Sequence, residues 1–308
     1  VGELSAACKK YGLKFGVYLS PWDRHQAFYG TPLYVEYFYA QLEELLTQYG
    51  DIFEIWFDGA NGGDGYYGGA REERTIDRRT YYNFPRAWEM VERLQPQAII
   101  FSDGGPGCRW VGNEKGYAHA TNWSFLRGNE VYPGYSRYWE LQQGHADGDT
   151  WTPAECDVSI RPGWFYHESE DSKVKTVDYL TDLYYRSVGH NATFLLNMPV
   201  DKEGRIHPID SARVMDFHKR ICAEFKTDLL AKAKIKASNV RGKQWGTANL
   251  TDGNYETYWS ISDGTDKAQL TITLPLNTRL NRLMLQEYIP LGQRVQRFSV
   301  SYLKGKEW

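Results

Sequence analysis

Ile52-Phe53-Glu54-Ile55-Trp56-Phe57-Asp58-Gly59-Ala60-Asn61-Gly62 alternates with a period of two and carries different chemistry on its two faces. Successive side chains of a strand point to opposite sides. Phe53, Ile55 and Phe57 therefore share the side expected to meet helices, and Glu54, Trp56 and Asp58 share the side expected to face the inside of a barrel. Asp58 is the last residue of the run and a Gly-rich turn follows it, which predicts a carboxylate held rigidly at a strand end with open space above. An Asp before Gly is on its own most often a turn-former. The inward Trp56 two residues earlier is what favours chemistry over turn-making.

Working outward, the same order of strand, long loop and helix recurs. Short apolar runs at 15–20, 52–57, 98–103 and 194–198, with a weaker one near 150–160, alternate with stretches at 32–49, 77–94 and 172–188 that carry apolar residues at helical spacing. Pro96 ends the second of these. The loops after the strands, at 21–31, 59–77 and 104–151, are long and rich in Gly, Trp, Tyr and charge, whereas the turns entering strands are short. This predicts α/β architecture of the (β/α)8 type with its active site on the C-terminal rim. About five strands can be counted where such a barrel needs eight, so two or three units are expected upstream of Val1. Beyond a Lys- and Ala-rich connector at 226–236, short alternating segments at 269–274 and 283–288 predict a β-sandwich that stops at Trp308 with few strands. The expected domains are 1–228, catalytic, and 235–308, a partial sandwich.

Composition narrows the chemistry. With 36 Lys and Arg against 39 Asp and Glu, the chain has no basic field for a phosphate backbone or an anionic membrane surface, which argues against nucleic acid. No apolar run approaches the roughly 20 residues needed to span a bilayer. Cys8, Cys108, Cys156 and Cys222 form no C-x-x-C pair, so no zinc or redox motif is visible and four buried free thiols are expected. The 11 Trp and 23 Tyr provide flat amphipathic rings suited to the faces of sugars, which points to carbohydrate.

A second carboxylate, Glu114, lies in Cys108-Arg109-Trp110-Val111-Gly112-Asn113-Glu114-Lys115-Gly116. Two carboxyl groups on neighbouring strand ends could flank a glycosidic bond, one attacking and the other donating a proton, and a separation of roughly 5–5.5 Å would mark retention. Glu72, Glu73 and Asp103 are the local rivals of Glu114 for the acid. Arg109 with Trp110, and Arg161 with Trp164, each offer a hydrogen-bond donor and a stacking ring to a sugar.

The strings EIWFDGANG (54–62), IIFSDGGPGCRWVGNEKG (99–116), YGLKFGVYLSPWDRH (11–25) and GHNATFLLNMPVDKEGRI (189–206) resemble glycoside hydrolase family 29, the α-L-fucosidases, in its α-1,3/1,4-selective branch, over residues 1 to about 225. The resemblance implies that Asp58 is the nucleophile, Trp56 lines the fucose pocket, Glu114 is the acid/base, and Trp22 and His25 are rim residues that contact sugar. It implies retaining hydrolysis of terminal fucose on Lewis-type oligosaccharides or glycoconjugates, without a cofactor, in a secreted or periplasmic protein, although no signal peptide is visible. The family's His-His motif lies in earlier strands and is absent from this chain. LTDGNYETYWSI (250–261) resembles the opening of F5/8 type C, discoidin-like modules, which implies a structural Ca2+ in the Asp252 region. Two other readings remain: a carbohydrate-binding protein with a degenerate barrel, and a barrel hydrolase of another sugar.

Overall fold

The computed structural model describes residues 1–59 and 64–303, so Ala60, Asn61 and Gly62 of the Gly-rich turn and the last residues up to Trp308 lie outside the described residues. The chain divides into two compact units, Val1–Val214 and Met215–Trp308.

The first unit is built on one parallel sheet. Its strands are β1 (Gly16–Tyr18), β2 (Glu54–Trp56), β3 (Ile99–Ser102), β4 (Cys108–Trp110), β5 (Ala154–Ser159) and β6 (Ala192–Asn197), and they are paired in chain order. Parallel strands laid down consecutively, with helices between most of them, form a curled section of a (β/α)8-like barrel. The longer helices are α1 (Gly2–Tyr11), α2 (Pro32–Gln48), α3 (Phe84–Leu94), α4 (Val177–Ser187) and α5 (Pro208–Glu224), the last running past Val214, and a short helix, Tyr138–Leu141, lies in the long loop before β5.

Local chemistry accounts for these elements. Pro32 opens α2, where its fixed φ suits the first helical turn, and the helix buries Tyr34, Phe38, Tyr39, Leu42 and Leu46 on one face. These residues pack with Ile55 and Phe57, the outward residues of β2, so the alternation of that strand places its apolar half in the core. Helix α4 is capped by the Thr176 hydroxyl, which accepts the Tyr179 N–H. Gln95 sits just past α3 and links three segments: its Oε1 accepts the Ile52 N–H at 3.1 Å, and its Nε2 donates to the carbonyls of Leu46 and Gly50. That side chain helps hold the entry of β2, together with the Phe53 N–H on the Phe15 carbonyl and the Ile99 N–H on the Phe53 carbonyl.

The structure corrects the strand count. A strand at Cys108–Trp110 lies inside what reads from sequence as one loop, and β3 reaches it through residues 103–107 with no crossover helix. Gly107 makes so short a return feasible, because a Cβ there would lie 2.7 Å from the Ile100 nitrogen. The rest of the long loop contains a two-stranded pair, Phe125–Leu126 with Thr150–Trp151, and the loop after β2 contains another, Gly65–Tyr67 with Glu72–Arg74. The cysteines are also corrected: all four are free, but only Cys108 and Cys156 are buried, while Cys222 is exposed and Cys8 lies between.

In the second unit β7 (Lys234–Ala237) pairs antiparallel with β8 (Leu270–Thr273). Tyr258 stacks on Tyr288, and the Trp259 indole N–H donates to the Asn239 carbonyl. The Asp252 carboxylate accepts the Asn254 N–H at 2.9 Å and the Thr257 hydroxyl at 2.7 Å, which shapes a tight turn.

At the rim of the first unit Arg161, just past β5, is fully buried and forms a two-point pair with Asp210 in the first turn of α5, at 2.8 and 2.9 Å, and a third contact with Asp171 at 2.9 Å. Removing one partner of such a pair strands a buried charge. Asp210→Ala is therefore expected to cost about 3–5 kcal/mol, measured as a lower midpoint of chemical unfolding; an unchanged midpoint would mean that the pair does not hold the strand end to the helix.

Candidate active site

Asp58 lies two residues past the end of β2, after Phe57, and is exposed at the C-terminal end of the sheet. The Tyr18 hydroxyl, at the end of neighbouring β1, donates to Asp58 Oδ2, and the Ser20 hydroxyl donates to the Asp58 carbonyl at 3.2 Å. Partial burial and the adjacent Asp58 carboxylate push the Tyr18 phenol well above its ordinary range, so it stays a proton donor at any physiological pH. The result is a carboxylate that is oriented but open to a substrate.

Trp56 forms the inward surface beneath Asp58. Its ring lies 3.8 Å from that of Phe101 with planes 6° apart, and 5.7 Å from that of Tyr18 on the same stack. Its indole N–H donates to Glu155 Oε1 on β5 at 2.9 Å, and the other oxygen of Glu155 accepts from the Thr193 hydroxyl on β6 at 3.1 Å. Trp110 repeats the pattern, donating from Nε1 to Asp157 Oδ1 at 2.8 Å.

These interior acids are strongly perturbed. Burial, with the Glu155 charge beside it, pushes Glu54 up to about 7, while the Cys108 thiol donates to its Oε1. Burial likewise takes Asp157 up to about 7, with smaller contributions from Glu114 and Glu155, and raises Glu155. Glu54, Cys108 and Glu155 place one ligand atom each within 4.8 Å of the others, the one such trio among the described residues. Asp103, at the end of β3, is buried, accepts the Gly134 N–H at 2.8 Å, and rises to about 6 through burial and the charge of Asp58.

Glu114 sits beyond β4 at the exposed tip of a short loop. Gly112 and Gly116 flank it at φ 82° and 80°, and each presses against the fold: an added Cβ would lie 2.2 Å from the Tyr138 carbonyl oxygen and 2.7 Å from Val158. The Asn113 side chain closes the tip by accepting the Lys115 N–H and donating to the Tyr117 carbonyl. Trp164, from the loop after β5, donates its indole N–H to Glu114 Oε2 at 3.4 Å.

The structure thus groups Asp58 with Trp56, Tyr18 and Asp103, and Glu114 with Trp164, Trp110 and Asp157, at strand ends β2 and β4 with β3 between. Trp22 is exposed with the Arg24 guanidinium over its ring, and its backbone N–H donates to the same Ser20 hydroxyl that reaches Asp58. His25 is exposed, its backbone N–H held by Asp23. Glu72 is ion-paired with Arg74, and Glu73 lies exposed on the same hairpin strand. Arg109 is a correction. It is fully buried, and its guanidinium donates to the carbonyls of Leu141, Thr152 and Trp123 and to Asn122 Oδ1, so it braces the long loop out of reach of a sugar. Arg161 is tied up in the same way by Asp210 and Asp171. Residues that the sequence reading passed over are Tyr18, Glu155 and Asp157; the polar alternation Glu155, Asp157, Ser159 is the signal that could have found the last two.

Comparison with known proteins follows this geometry. A sequence profile described as Alpha-L-fucosidase matches residues 1–219, and one described as F5/8 type C domain matches residues 234–308. The chain is 40% identical to Alpha-L-fucosidase 1 of Arabidopsis thaliana over 100% of its own length and 59% of that protein. Among solved structures, a glycoside hydrolase 29 family member from an unknown rumen bacterium is 52% identical, with a TM-score of 0.71 over 76% of this chain and 42% of that one. A Ruminococcus gnavus GH29 fucosidase solved in complex with fucose is 33% identical, with a TM-score of 0.73 over 88% of this chain and 58% of that one.

The raised interior carboxyls have a measurable consequence. A carboxyl whose folded pKa lies above its unfolded value stabilises the fold fully below the unfolded value, and that stability is lost as pH rises through the folded one. For Glu54 the window runs from the ordinary 4.5 up to about 7. The melting temperature should fall across that window, and Glu54→Gln, which cannot ionise, should flatten the slope; an equal slope in the variant would show that Glu54 is not one of the titrating groups.

Proposed function

The chain belongs to glycoside hydrolase family 29, the α-L-fucosidases, and from that premise we propose that the protein is a retaining exo-glycosidase that releases terminal α-L-fucose. The observation that carries the reading is the Asp58 carboxylate, oriented by Tyr18 at the open end of β2 with the stacked Trp56 ring beside it. In the proposed double displacement Asp58 attacks C1 of fucose while Glu114 protonates the departing oxygen. Glu114 then takes a proton from water, which attacks C1 and frees Asp58, so that L-fucose leaves with its configuration retained. No step needs a cofactor.

The proposed substrates are fucosylated oligosaccharides with α-1,3- or α-1,4-linked branches of Lewis type. The Glu114 loop supports that choice, since Trp164 and Trp110 stand near the acid where the sugar next to fucose would rest. Such glycans are met outside the cytoplasm, so a secreted or periplasmic location belongs to the same proposal. A structural Ca2+ at the Asp252 turn is part of it too: the carboxylate and neighbouring carbonyls are the hard oxygens that this ion prefers.

The test is fucose release from a Lewis-type trisaccharide by the wild type, Asp58→Ala and Glu114→Ala, with azide added. Both variants should lose activity by several orders of magnitude. With an aryl α-L-fucoside, whose leaving group departs without protonation, azide should restore turnover as β-fucosyl azide with Asp58→Ala and as α-fucosyl azide with Glu114→Ala. A near-normal rate in Glu114→Ala would move the acid to another residue, and equally fast cleavage of α-1,2-linked fucose would overturn the linkage preference.

A further inference from the structure

Trp56 is held by two kinds of contact that do different work. Stacking between Phe101 and Tyr18 fixes the plane of the indole, with interplanar angles of 6° and 21°. Stacking is nearly indifferent to sliding or rotation within that plane. A hydrogen bond is directional, and the 2.9 Å bond from Nε1 to Glu155 Oε1 selects one setting of the ring. Glu155 is itself pinned: it is buried at 7% exposure, is the second residue of β5, and its other oxygen accepts from Thr193 on the adjacent strand.

We infer that Glu155 is a positioning residue for the fucose pocket, acting through Trp56, an inference that rests on the fucosidase reading. The linkage runs through contacts already described. Thr193 orients Glu155, Glu155 fixes the in-plane setting of Trp56, Trp56 stacks on Tyr18, and the Tyr18 hydroxyl holds the Asp58 carboxylate. Glu155 touches neither Asp58 nor the rim, so it neither attacks nor moves a proton to sugar. Its loss would let the indole shift within its stack, and a displacement of about 1 Å at a reacting centre can cost on the order of 100-fold in rate.

The experiment uses the full-length protein and three variants. Glu155→Leu keeps the volume and removes the acceptor. Glu155→Gln keeps an oxygen to accept from the indole and turns its NH2 to the Thr193 hydroxyl as a hydrogen-bond donor. Trp56→Phe removes the N–H and leaves a ring in the stack. With an aryl α-L-fucoside, Glu155→Leu should lower kcat/KM roughly 10- to 100-fold, with part of the loss in KM because the sugar platform has moved, while Glu155→Gln should stay within about 3-fold of wild type. The deciding measurement is the double variant: in the Trp56→Phe background, Glu155→Leu should add less than about 3-fold, since the bond it breaks is already gone. Independent, multiplied losses would overturn the inference.

A second readout does not depend on turnover. In 15N-indole spectra, the Nε1–H signal of Trp56, identified by its loss in Trp56→Phe, should move upfield and exchange faster with water in Glu155→Leu and stay in place in Glu155→Gln. An unmoved signal in Glu155→Leu would overturn the positioning role even if activity fell. If the wild type released no fucose, the fucosidase reading would fall and the indole signal would still decide whether Glu155 sets Trp56.

Discussion

Carboxylates are costly to place inside a sheet, and this one contains Glu54, Glu155 and Asp157. The cost is met in two ways. Glu155 and Asp157 each receive an indole N–H from a different strand, Trp56 on β2 and Trp110 on β4, and Glu155 takes a hydroxyl from β6 as well. Burial also pushes all three toward their neutral forms, Glu54 with, among the described residues, only the Cys108 thiol donating to it. The tryptophans therefore act twice, filling the curved interior with ring surface and satisfying the acids with their edges. The candidate site rests on that layer, since Asp58 and the start of the Glu114 loop lie two residues past Trp56 and Trp110.

How much of this the sequence announced depends on the segment. β2 was fully legible, because its two faces differ in chemistry as well as polarity, and α2 was legible from Pro32 and its apolar spacing. β5 was read only weakly: its inward residues are Glu155, Asp157 and Ser159, its outward ones the small Ala154, Cys156 and Val158, and no long apolar run marks it. β4 was missed because three residues carry almost no periodic signal and no helix announces them. The same three residues explain the misreading of Arg109. Alternation puts Cys108 and Trp110 on the inward face, which leaves Arg109 pointing away from any sugar, toward the carbonyls it binds. Residue type suggested a sugar donor; parity argued against it.

Arg109 and Arg161 share a structural logic. Each is a fully buried guanidinium just inside the rim, and each gathers acceptors from several segments that have no regular ladder of their own. Five donors in a rigid fork suit that task better than a lysine would. Long loops rich in Gly and aromatic residues are held in one arrangement by a few internal charges, so the rim can be elaborate without being loose.

The glycines on either side of Glu114 also bear on how such a rim could diversify. Gly112 and Gly116 are clamped against the Tyr138 carbonyl and Val158, so the two ends of the loop cannot change residue without disturbing the fold. Between them Asn113 closes the turn with its two local hydrogen bonds, and Glu114 and Lys115 are exposed at its tip. The arrangement works as a fixed socket with an exchangeable tip: substitutions or small insertions beside Glu114 can redraw what its carboxylate meets and leave the socket, and the sheet below it, unchanged.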